Sequence, residues 1–506
     1  MKTFRHITLL TLLASALSCT SNFEEYNTNP NEAPLWTITP GGLLQEIVYG
    51  GTNDIASRTW YLVSDLMQYT VTGGTNNQYH RYIIGTGIMG SAWNSCFVWA
   101  GNADHMFRLA RRYDPEDADP VYNNYKAIAL TMKCLYMANA TDIFGDVPCS
   151  QAFAGRDGEY RPAFDTQEKI YHQLYLDLEL ANTLYDPSKG LTRNGQDLLY
   201  GGDISKWRKF NNSLYLRLLM RMSNRAEQMA IAEKLTEIFS DPAKYPVFES
   251  NGDNATVFFS GSIPFINKFG NQTENGFRHN AAEYTINLLT AGNDPRLPLM
   301  YEKCNSSSDW KGQVSGESLQ DVDGTNISRL NRKVLGQYDS PFSLMKYDEV
   351  LFIRAEAIKR GFVPGTEEDV AACHADAIRA SIRYWESIDP DRKEITDARI
   401  DAYINSYGYY DGELSKILTQ KFIAQFFVGY EPWNDYRRTG FPVLRIGSAT
   451  AANAYTLPTR LSYPTATRTT NPENYAKAVE RLRERYNAED NMRAPVWWSL
   501  EASRID

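Results

Sequence analysis

Apolar residues recur every three to four positions along several stretches of this chain, a spacing that predicts amphipathic α-helices. Over residues 207–222 one helical face carries Trp207, Phe210, Leu214, Leu218 and Met222. The same spacing predicts three further helices, over residues 170–185, 347–358 and 414–426. Asp165 and Glu168 predict a capping box before the first of these three, and Gly361 predicts the C-cap after the second. We therefore predict a succession of degenerate helical hairpins.

The helical spacing fades between residues 246 and 341, where Gly, Asn, Ser and aromatic residues dominate. A long irregular region carried on a helical scaffold is where binding residues most often lie. The predicted fold is mainly α, with a helical scaffold over 41–245 and 342–430, a loop-rich insert over 246–341 and a C-terminal segment over 431–506.

The first residues have the pattern of an export signal. Lys2 and Arg5 precede an apolar stretch, 7–14, which is too short for a membrane span of about 20 residues. An ordinary cleavage site at 14–16 would release a soluble protein, whereas the sequence ALSC ending at Cys19 resembles a bacterial lipobox. We predict the second, with a signal peptide over 1–18 and a lipidated N-terminus and tether over 19–40. No later segment is apolar for long enough to cross a bilayer, so the membrane is expected to be reached through lipid only.

Composition narrows the classes of partner. The chain has 506 residues, a net charge of −9 and no basic cluster, so we expect no nucleic-acid partner. Its 32 Tyr and 10 Trp suit stacking on sugar rings as well as half-buried packing, because each has a flat apolar face and a polar edge. Five cysteines follow Cys19, an odd number that does not fit a disulfide framework.

Two segments combine aromatic rings with planar hydrogen-bonding groups, as carbohydrate recognition requires. They are 72–82 (TGGTNNQYHRY) and 265–278 (FINKFGNQTENGFR), and amide and guanidinium groups in them can each address two adjacent hydroxyls. Polar loops with anchoring aromatics explain the same residues equally well. The predicted ligand contacts are Asn76, Asn77, Tyr79, Arg81, Tyr82, Phe269, Asn271, Phe277, Arg278 and Trp310.

Other polar residues have structural explanations. Asp435, Arg437 and Arg438 are expected to form a satisfied network where a helix ends. Glu356, inside an apolar helix, needs a partner if it is buried, and an arginine is the natural one.

Enzymatic and cofactor motifs are weak. Residues 85–90 match G-x-G-x-x-G, but a dinucleotide site also needs a preceding strand and an acidic residue about 20 positions later, so we predict a glycine-rich loop. There is no HExxH or G-x-S-x-G motif.

Two pairs of carboxylates, Asp142 with Asp146 and Asp321 with Asp323, are compatible with the alternative of a helical (α/α) glycoside hydrolase. Half of a calcium loop is formed by Asp321, Asp323 and Asn326, without the distal Glu.

Several co-linear segments resemble the SusD/RagB family of nutrient-binding lipoproteins, in particular its SusD-like subgroup. The most specific is 433–442 (WNDYRRTGFP). The others are 23–31, 142–148, 202–221, 343–361, 417–432, 457–464, 471–476 and 496–498. The chain departs from the family pattern in three places: the lipobox begins with Ala16 instead of Leu, Val or Ile, Glu24 and Glu25 lie five and six residues after Cys19 instead of directly after it, and no Glu follows Pro464 in 465–470.

This resemblance implies a tetratricopeptide-like helical scaffold that supports an irregular ligand-binding part. It implies an outer-membrane lipoprotein that faces the cell exterior and delivers its ligand to a SusC-like TonB-dependent porin, over which it acts as a lid. The ligand is expected to be an oligosaccharide, or a peptide as in some members. The family binds without chemistry, so no catalytic residue and no cofactor is expected, apart from structural calcium at the half loop.

Overall fold

The computed structural model describes residues 38–73, 78–270, 279–318 and 326–505. The predicted signal peptide and Cys19 lie outside them. The architecture is mainly helical, as predicted. Helices of eight or more residues are α1 (Pro40–Arg58), α2 (Thr86–Tyr113), α3 (Pro120–Phe144), α4 (Gln167–Leu184), α5 (Ile204–Arg221), α6 (Ile231–Ser240), α7 (Glu283–Ala291), α8 (Tyr347–Lys359), α9 (Glu367–Ser387), α10 (Asp397–Ile404), α11 (Leu414–Ala424), α12 (Glu431–Thr439) and α13 (Pro472–Tyr486).

Shorter elements complete the fold. Short α-helices are Ser64–Leu66, Leu297–Met300, Arg332–Leu335, Thr465–Thr470 and Leu500–Ile505. The strands are β1 (Thr70–Thr72), β2 (Val147–Pro148), β3 (Phe164–Asp165), β4 (Ala255–Val257), β5 (His279–Ala281), β6 (Tyr301–Glu302), β7 (Arg329–Leu330) and β8 (Phe342–Met345). They form an antiparallel sheet in the order β1-β5-β7-β6 and two strand pairs, β2-β3 and β4-β8. None of the described helices has both the length and the apolar character of a membrane span.

Helical hairpins make up the scaffold, as the sequence predicts. Helix α2 packs on α3 and α8 on α9, each pair across a short connector, and α3 packs on α4 across a longer one that contains β2 and β3. Helix α3 begins with Pro120, and the side chain of Asp119 caps it by accepting a hydrogen bond from the backbone N–H of Val121 at 2.9 Å. Proline fits this position because the first N–H groups of a helix have no intrahelical acceptor.

Local details both confirm and correct the sequence reading. Gly361 follows α8 with φ of +74°, as predicted for a C-terminal stop. The predicted capping box before α4 is wrong: Thr166 is the N-cap, and its hydroxyl accepts from the N–H of Lys169 at 3.4 Å. Asp165 lies in β3 instead, where its carboxylate accepts from the N–H of Ser150 at 2.7 Å.

A network of buried charges crosses the scaffold. Arg438 on α12 forms a two-bond ion pair with Glu356 on α8, with distances of 2.6 and 2.8 Å. Arg221 on α5 pairs with both Asp142 on α3 and Glu431 on α12. The predicted arginine partner of Glu356 is therefore confirmed. The other members of the network are Arg217 with Glu349, and Lys421 with Asp435.

Arg437 belongs to this network in a different way. It donates hydrogen bonds to the carbonyl oxygens of Asp142 and Thr459, and its guanidinium lies 4.0 Å from the ring centroid of Trp433 and 4.8 Å from that of Trp498. Burial lowers the pKa of Arg437 to about 9. The predicted network of Asp435, Arg437 and Arg438 exists, but carbonyl groups and aromatic rings satisfy Arg437.

The sheet determines where the loop-rich insert meets the first helices. Strands β1 and β5 pair antiparallel, with Thr72 opposite His279. In an antiparallel pair, the segment that leaves one strand and the segment that enters the other share one end of the sheet. Thr72 and His279, at which the two predicted ligand segments join the sheet, therefore lie side by side although about 200 residues separate them.

We expect Arg438→Met to lower the free energy of unfolding by about 3–5 kcal/mol, because it leaves Glu356 buried without its main counter-charge. Burial raises the pKa of Glu356, but Arg438 and Lys421 outweigh burial and hold it at about 2. Urea denaturation at neutral pH measures the change. The matched control is Arg483→Met, since Arg483 and Glu489 form an exposed ion pair at 2.7 Å. Equal effects of the two substitutions would contradict this account.

Candidate ligand-binding surface

Helix α1 continues into a π-helix, Thr59–Val63, which carries two consecutive aromatic residues. Trp60 is 1% exposed, and Tyr61 is half-buried. The wider π turn changes the direction of side chains relative to an α-helix, and such turns are frequent at functional sites. The sequence analysis missed both residues. The one signal for them was the adjacent pair of aromatic residues directly after a helical stretch.

These rings form a cluster with Phe269 and His279. Phe269 stacks on Trp60, with ring centroids 6.2 Å apart and an interplanar angle of 22°, and meets Tyr61 edge-on at 5.8 Å. The ring of His279 lies 5.0 Å from that of Trp60 and 5.4 Å from that of Tyr61. Buried Trp60 and His279 thus support two half-buried rings, Tyr61 and Phe269.

Tyr79 belongs to the same surface. It opens a short 3-10 helix, Tyr79–Arg81, and is half-buried. This 3-10 helix packs on Ser64–Leu66, which directly follows the π-helix, and on β1. Burial raises the pKa of Tyr79. We call the half-buried rings of Tyr61, Tyr79 and Phe269 the aromatic surface.

The other predicted ligand contacts have different positions. Arg81 is half-buried two residues after Tyr79, whereas Tyr82 has φ of +62° and is 1% exposed, so its ring is buried. Trp310 is half-buried, and the N–H of nearby Gln313 donates to the carbonyl of Ala281 at 2.8 Å, at the far end of β5. Outside the described residues are Asn76, Asn77, Asn271, Phe277 and Arg278. Ligand contact by any of these residues stays a prediction.

A series of buried hydrogen bonds connects the backbone elements beneath the aromatic surface. Asp65 accepts hydrogen bonds from the hydroxyl of Thr70 at 2.6 Å, and from the hydroxyl and the N–H of Thr72 at 3.0 and 3.1 Å. The hydroxyl of Thr72 lies 3.3 Å from Nδ1 of His279. Burial raises the pKa of Asp65 to about 7 and lowers the pKa of His279 to about 4. These hydrogen bonds join the end of the π-helix to β1 and β5, the strands next to the two predicted ligand segments.

The carboxylates considered for hydrolysis are occupied by structural partners where they are described. Asp142 is 1% exposed and accepts hydrogen bonds from Arg221, from the hydroxyl of Tyr171 at 2.6 Å and from the indole N–H of Trp498 at 2.8 Å. Asp146 pairs with Arg481 at 2.6 Å. Asp321 and Asp323 lie outside the described residues.

Metal and nucleotide motifs find little support in the geometry. Within the described ranges no cluster of three His, Cys, Asp or Glu side chains is arranged to hold a metal ion. Asn326 accepts a hydrogen bond from Ser306 at 3.2 Å, and calcium with Asp321 and Asp323 stays a prediction. The predicted glycine-rich loop is wrong: Gly85 is the N-cap of α2, Gly87 and Gly90 lie in its first turns, and 82–84 form no strand.

Comparison with known proteins identifies one family. A family model named SusD-like_2 and described as "Starch-binding associating with outer membrane" matches residues 30–464. A structure described as a chitin-binding protein is 25% identical, with a TM-score of 0.79, covering 91% of this chain and 100% of that chain. A SusD homologue from Bacteroides fragilis is 25% identical, with a TM-score of 0.77 and the same coverage of 91% and 100%.

A more distant structure shows the same fold. A SusD homologue from Parabacteroides distasonis is 22% identical, with a TM-score of 0.78, covering 92% of this chain and 98% of that chain. A search of curated protein sequences found no match.

The pKa of Asp65 predicts a pH dependence of stability. Because its folded-state pKa is raised above the usual 3.8, its contribution is fully present below pH about 4 and is lost as the pH rises through about 7. We expect the free energy of unfolding of wild type to fall more steeply between pH 5 and pH 8 than that of Asp65→Asn. Urea denaturation across this range measures both slopes. Parallel curves for the two proteins would show that Asp65 ionises as it does in the unfolded chain.

Proposed function

This chain belongs to the SusD-like family, and on that premise we propose that it binds oligosaccharides on its aromatic surface and delivers them to a TonB-dependent transporter. The observation that carries the proposal is the pair of half-buried rings, Tyr61 and Phe269, supported by buried Trp60 and His279. The family description, which names starch, and the similar structure described as chitin-binding support a glycan ligand.

The chemistry of the surface suits a sugar. A pyranose ring has an apolar face that packs on a flat aromatic ring and a rim of hydroxyl groups that need hydrogen-bond partners. Tyr61 and Phe269 supply the flat faces, and the Tyr79 hydroxyl and the Arg81 guanidinium supply polar partners beside them. The buried rings beneath fix the platform, so little side-chain freedom is lost when a ligand binds.

Delivery requires the protein to stay at the membrane next to its transporter. We propose that Cys19 carries the lipid, that the following residues act as a tether, and that the folded part covers a SusC-like porin on the cell exterior. The association of the family with the outer membrane supports this arrangement.

Two alternatives remain testable. A peptide-binding member of the same family would use the same rings for apolar side chains. A helical glycoside hydrolase is favoured by one observation: Asp146 lines a pocket of about 320 Å³ together with Glu168 and Glu484, and burial raises the pKa of Asp146. The ion pair of Asp146 with Arg481 counts against a role as proton donor, because it stabilises the charged carboxylate.

We expect Tyr61→Ala and Phe269→Ala each to weaken glycan binding about tenfold, the loss expected when one stacking ring is removed. A glycan array identifies the ligand, and titration calorimetry measures the affinity. The matched control is Tyr160→Ala, because Tyr160 is 80% exposed and lies outside this surface. Selective binding on a peptide array, or cleaved sugars after incubation, would replace this proposal with one of the alternatives.

We also expect metabolic labelling with a fatty acid to mark the chain and to be lost in Cys19→Ala. Residues 14–16 offer an ordinary cleavage site, so an unlabelled wild type released as a soluble protein would remove the lipid anchor from the proposal. The substitution leaves residues 38–505 unchanged, so glycan affinity in solution serves as the control for folding.

A further inference from the structure

The pocket of about 320 Å³ beside Asp146 is formed where three parts of the chain meet. They are the turn after α3 with the first turn of α4, the last turns of α13, and the C-terminal segment. No residue of the aromatic surface lines it. Pockets that bind small molecules usually have volumes of about 300–1,000 Å³, so this one suits a single small molecule.

Hydrogen bonds hold the walls of the pocket in place. Asp146 accepts from Nε of Arg481 at 2.6 Å and from the N–H of Gln167 at 3.0 Å, which joins α13 to the start of α4. The side-chain carbonyl of Gln167 accepts from the N–H of Trp497 at 2.8 Å, which joins the C-terminal segment to the same place. The carbonyl of Asp146 accepts from the hydroxyl of Tyr463 at 2.6 Å. Because these walls are already fixed, little conformational freedom is lost when a ligand binds.

One part of the lining is apolar. Val496 is 1% exposed and Trp497 is 4% exposed, while Leu482 is half-buried. The guanidinium of Arg225 lies 5.2 Å from the ring centroid of Trp497 and donates to the carbonyl of the same residue at 2.7 Å, which fixes the indole. These side chains give a ligand an apolar wall to pack against.

The polar part of the lining has accessible groups that the protein itself leaves unused. Glu484 is exposed and Glu168 is half-buried, and neither carboxylate has a hydrogen-bond or ion-pair partner among the described residues. Arg481, whose side chain is 35% exposed, uses Nε for Asp146 and Nη2 for the carbonyl of Phe164 at 3.1 Å. Its Nη1 group therefore keeps two N–H donors. Acceptors and a donor of hydrogen bonds thus line one pocket.

The charges around the pocket limit the class of ligand. The acids of the lining are Asp146, Glu168 and Glu484, and its bases are Arg481 and Arg485. A simple anion is repelled by the two unpaired carboxylates, and a simple cation is repelled by the two guanidinium groups. A sugar hydroxyl is neutral and both donates and accepts, so neighbouring hydroxyls satisfy a carboxylate and a guanidinium side by side.

We propose that this pocket is a second sugar-binding site, which takes a free monosaccharide or disaccharide. Glu168 and Glu484 accept hydrogen bonds from its hydroxyl groups, Arg481 donates to them, and the apolar face of the sugar packs against Leu482 and Val496. This site goes beyond the proposed function, because a short sugar bound here does not use the rings of the aromatic surface.

The experiment is titration calorimetry of the purified full chain with four neutral sugars. They are glucose, maltose, N-acetylglucosamine and N,N′-diacetylchitobiose, the units of the polymers named for the family and for a similar structure. We expect at least one of them to bind with a dissociation constant of about 1 mM or tighter, as suits a ligand of this size. Acetate and ethanolamine, a simple anion and a simple cation, are expected not to bind. Binding of either one without binding of a sugar would overturn the inference.

Variants then locate the site. Glu168→Ala and Glu484→Ala are each expected to weaken binding of the short sugar about tenfold, because each removes a charged acceptor. Neither carboxylate has a partner in the described part of the chain, so both variants are expected to fold, and thermal unfolding checks this. The matched control is Glu473→Ala, in the first turn of α13 and outside the pocket, which we expect to keep the affinity within about twofold.

The outcomes separate this inference from the proposed function. If Tyr61→Ala abolishes binding of the short sugar and the two pocket variants do not, the sugar binds to the aromatic surface and the pocket is not a site. Binding of none of the four sugars at about 20 mM also overturns the inference, while glycan binding that Phe269→Ala weakens still supports the proposed function. Short-sugar binding that depends on Glu168, without any glycan on the array, supports the pocket and removes the proposed function. Release of glucose from maltose would make the pocket a hydrolase site and overturn binding without turnover.

Discussion

Pairing of buried charges is the constraint on which this structure depends. Helix α5 places Arg217 and Arg221 inside the scaffold, where carboxylates from α3, α8 and α12 neutralise them. Removing one charged side chain leaves its partner buried without a counter-charge, in an interior that solvates charge poorly. The helices that meet at this network are therefore fixed relative to one another. Helix α11 adds Lys421, and the carbonyl of the next residue, Phe422, accepts the hydroxyl of Tyr69 at 2.5 Å, which connects the network to β1 and the aromatic surface.

Much of the scaffold is predictable from the local sequence pattern, because a helix with one apolar face has an apolar residue every three to four positions. The interior position of Arg217 and Arg221 is not, since a charged residue on a helix normally indicates solvent. Their burial depends on partners such as Asp142 and Glu431, which are distant in sequence. Glu356 was predictable as a residue in need of an arginine, but its partner, Arg438, was not, because spacing along one chain does not show which helices meet.

The aromatic surface was predicted in part for the same reason. Two segments were identified from their composition, and Tyr79, Arg81 and Phe269 lie where the structure brings those segments together. Tyr61 was missed, since nothing local in the sequence distinguishes a π-helix from an α-helix. Tyr82 shows the converse: it was predicted to contact ligand from the composition of its segment, but the same composition also fits a ring that packs inward.

The pairing of Thr72 with His279 makes the surface a composite of two remote parts of the polypeptide. During synthesis, the first part emerges long before the second, so neither a nascent chain nor a fragment presents both sides of the platform. Formation of the aromatic surface is in this way tied to completion of the fold, so a chain truncated before residue 265 would keep Tyr61 and Tyr79 without the supporting rings of Phe269 and His279.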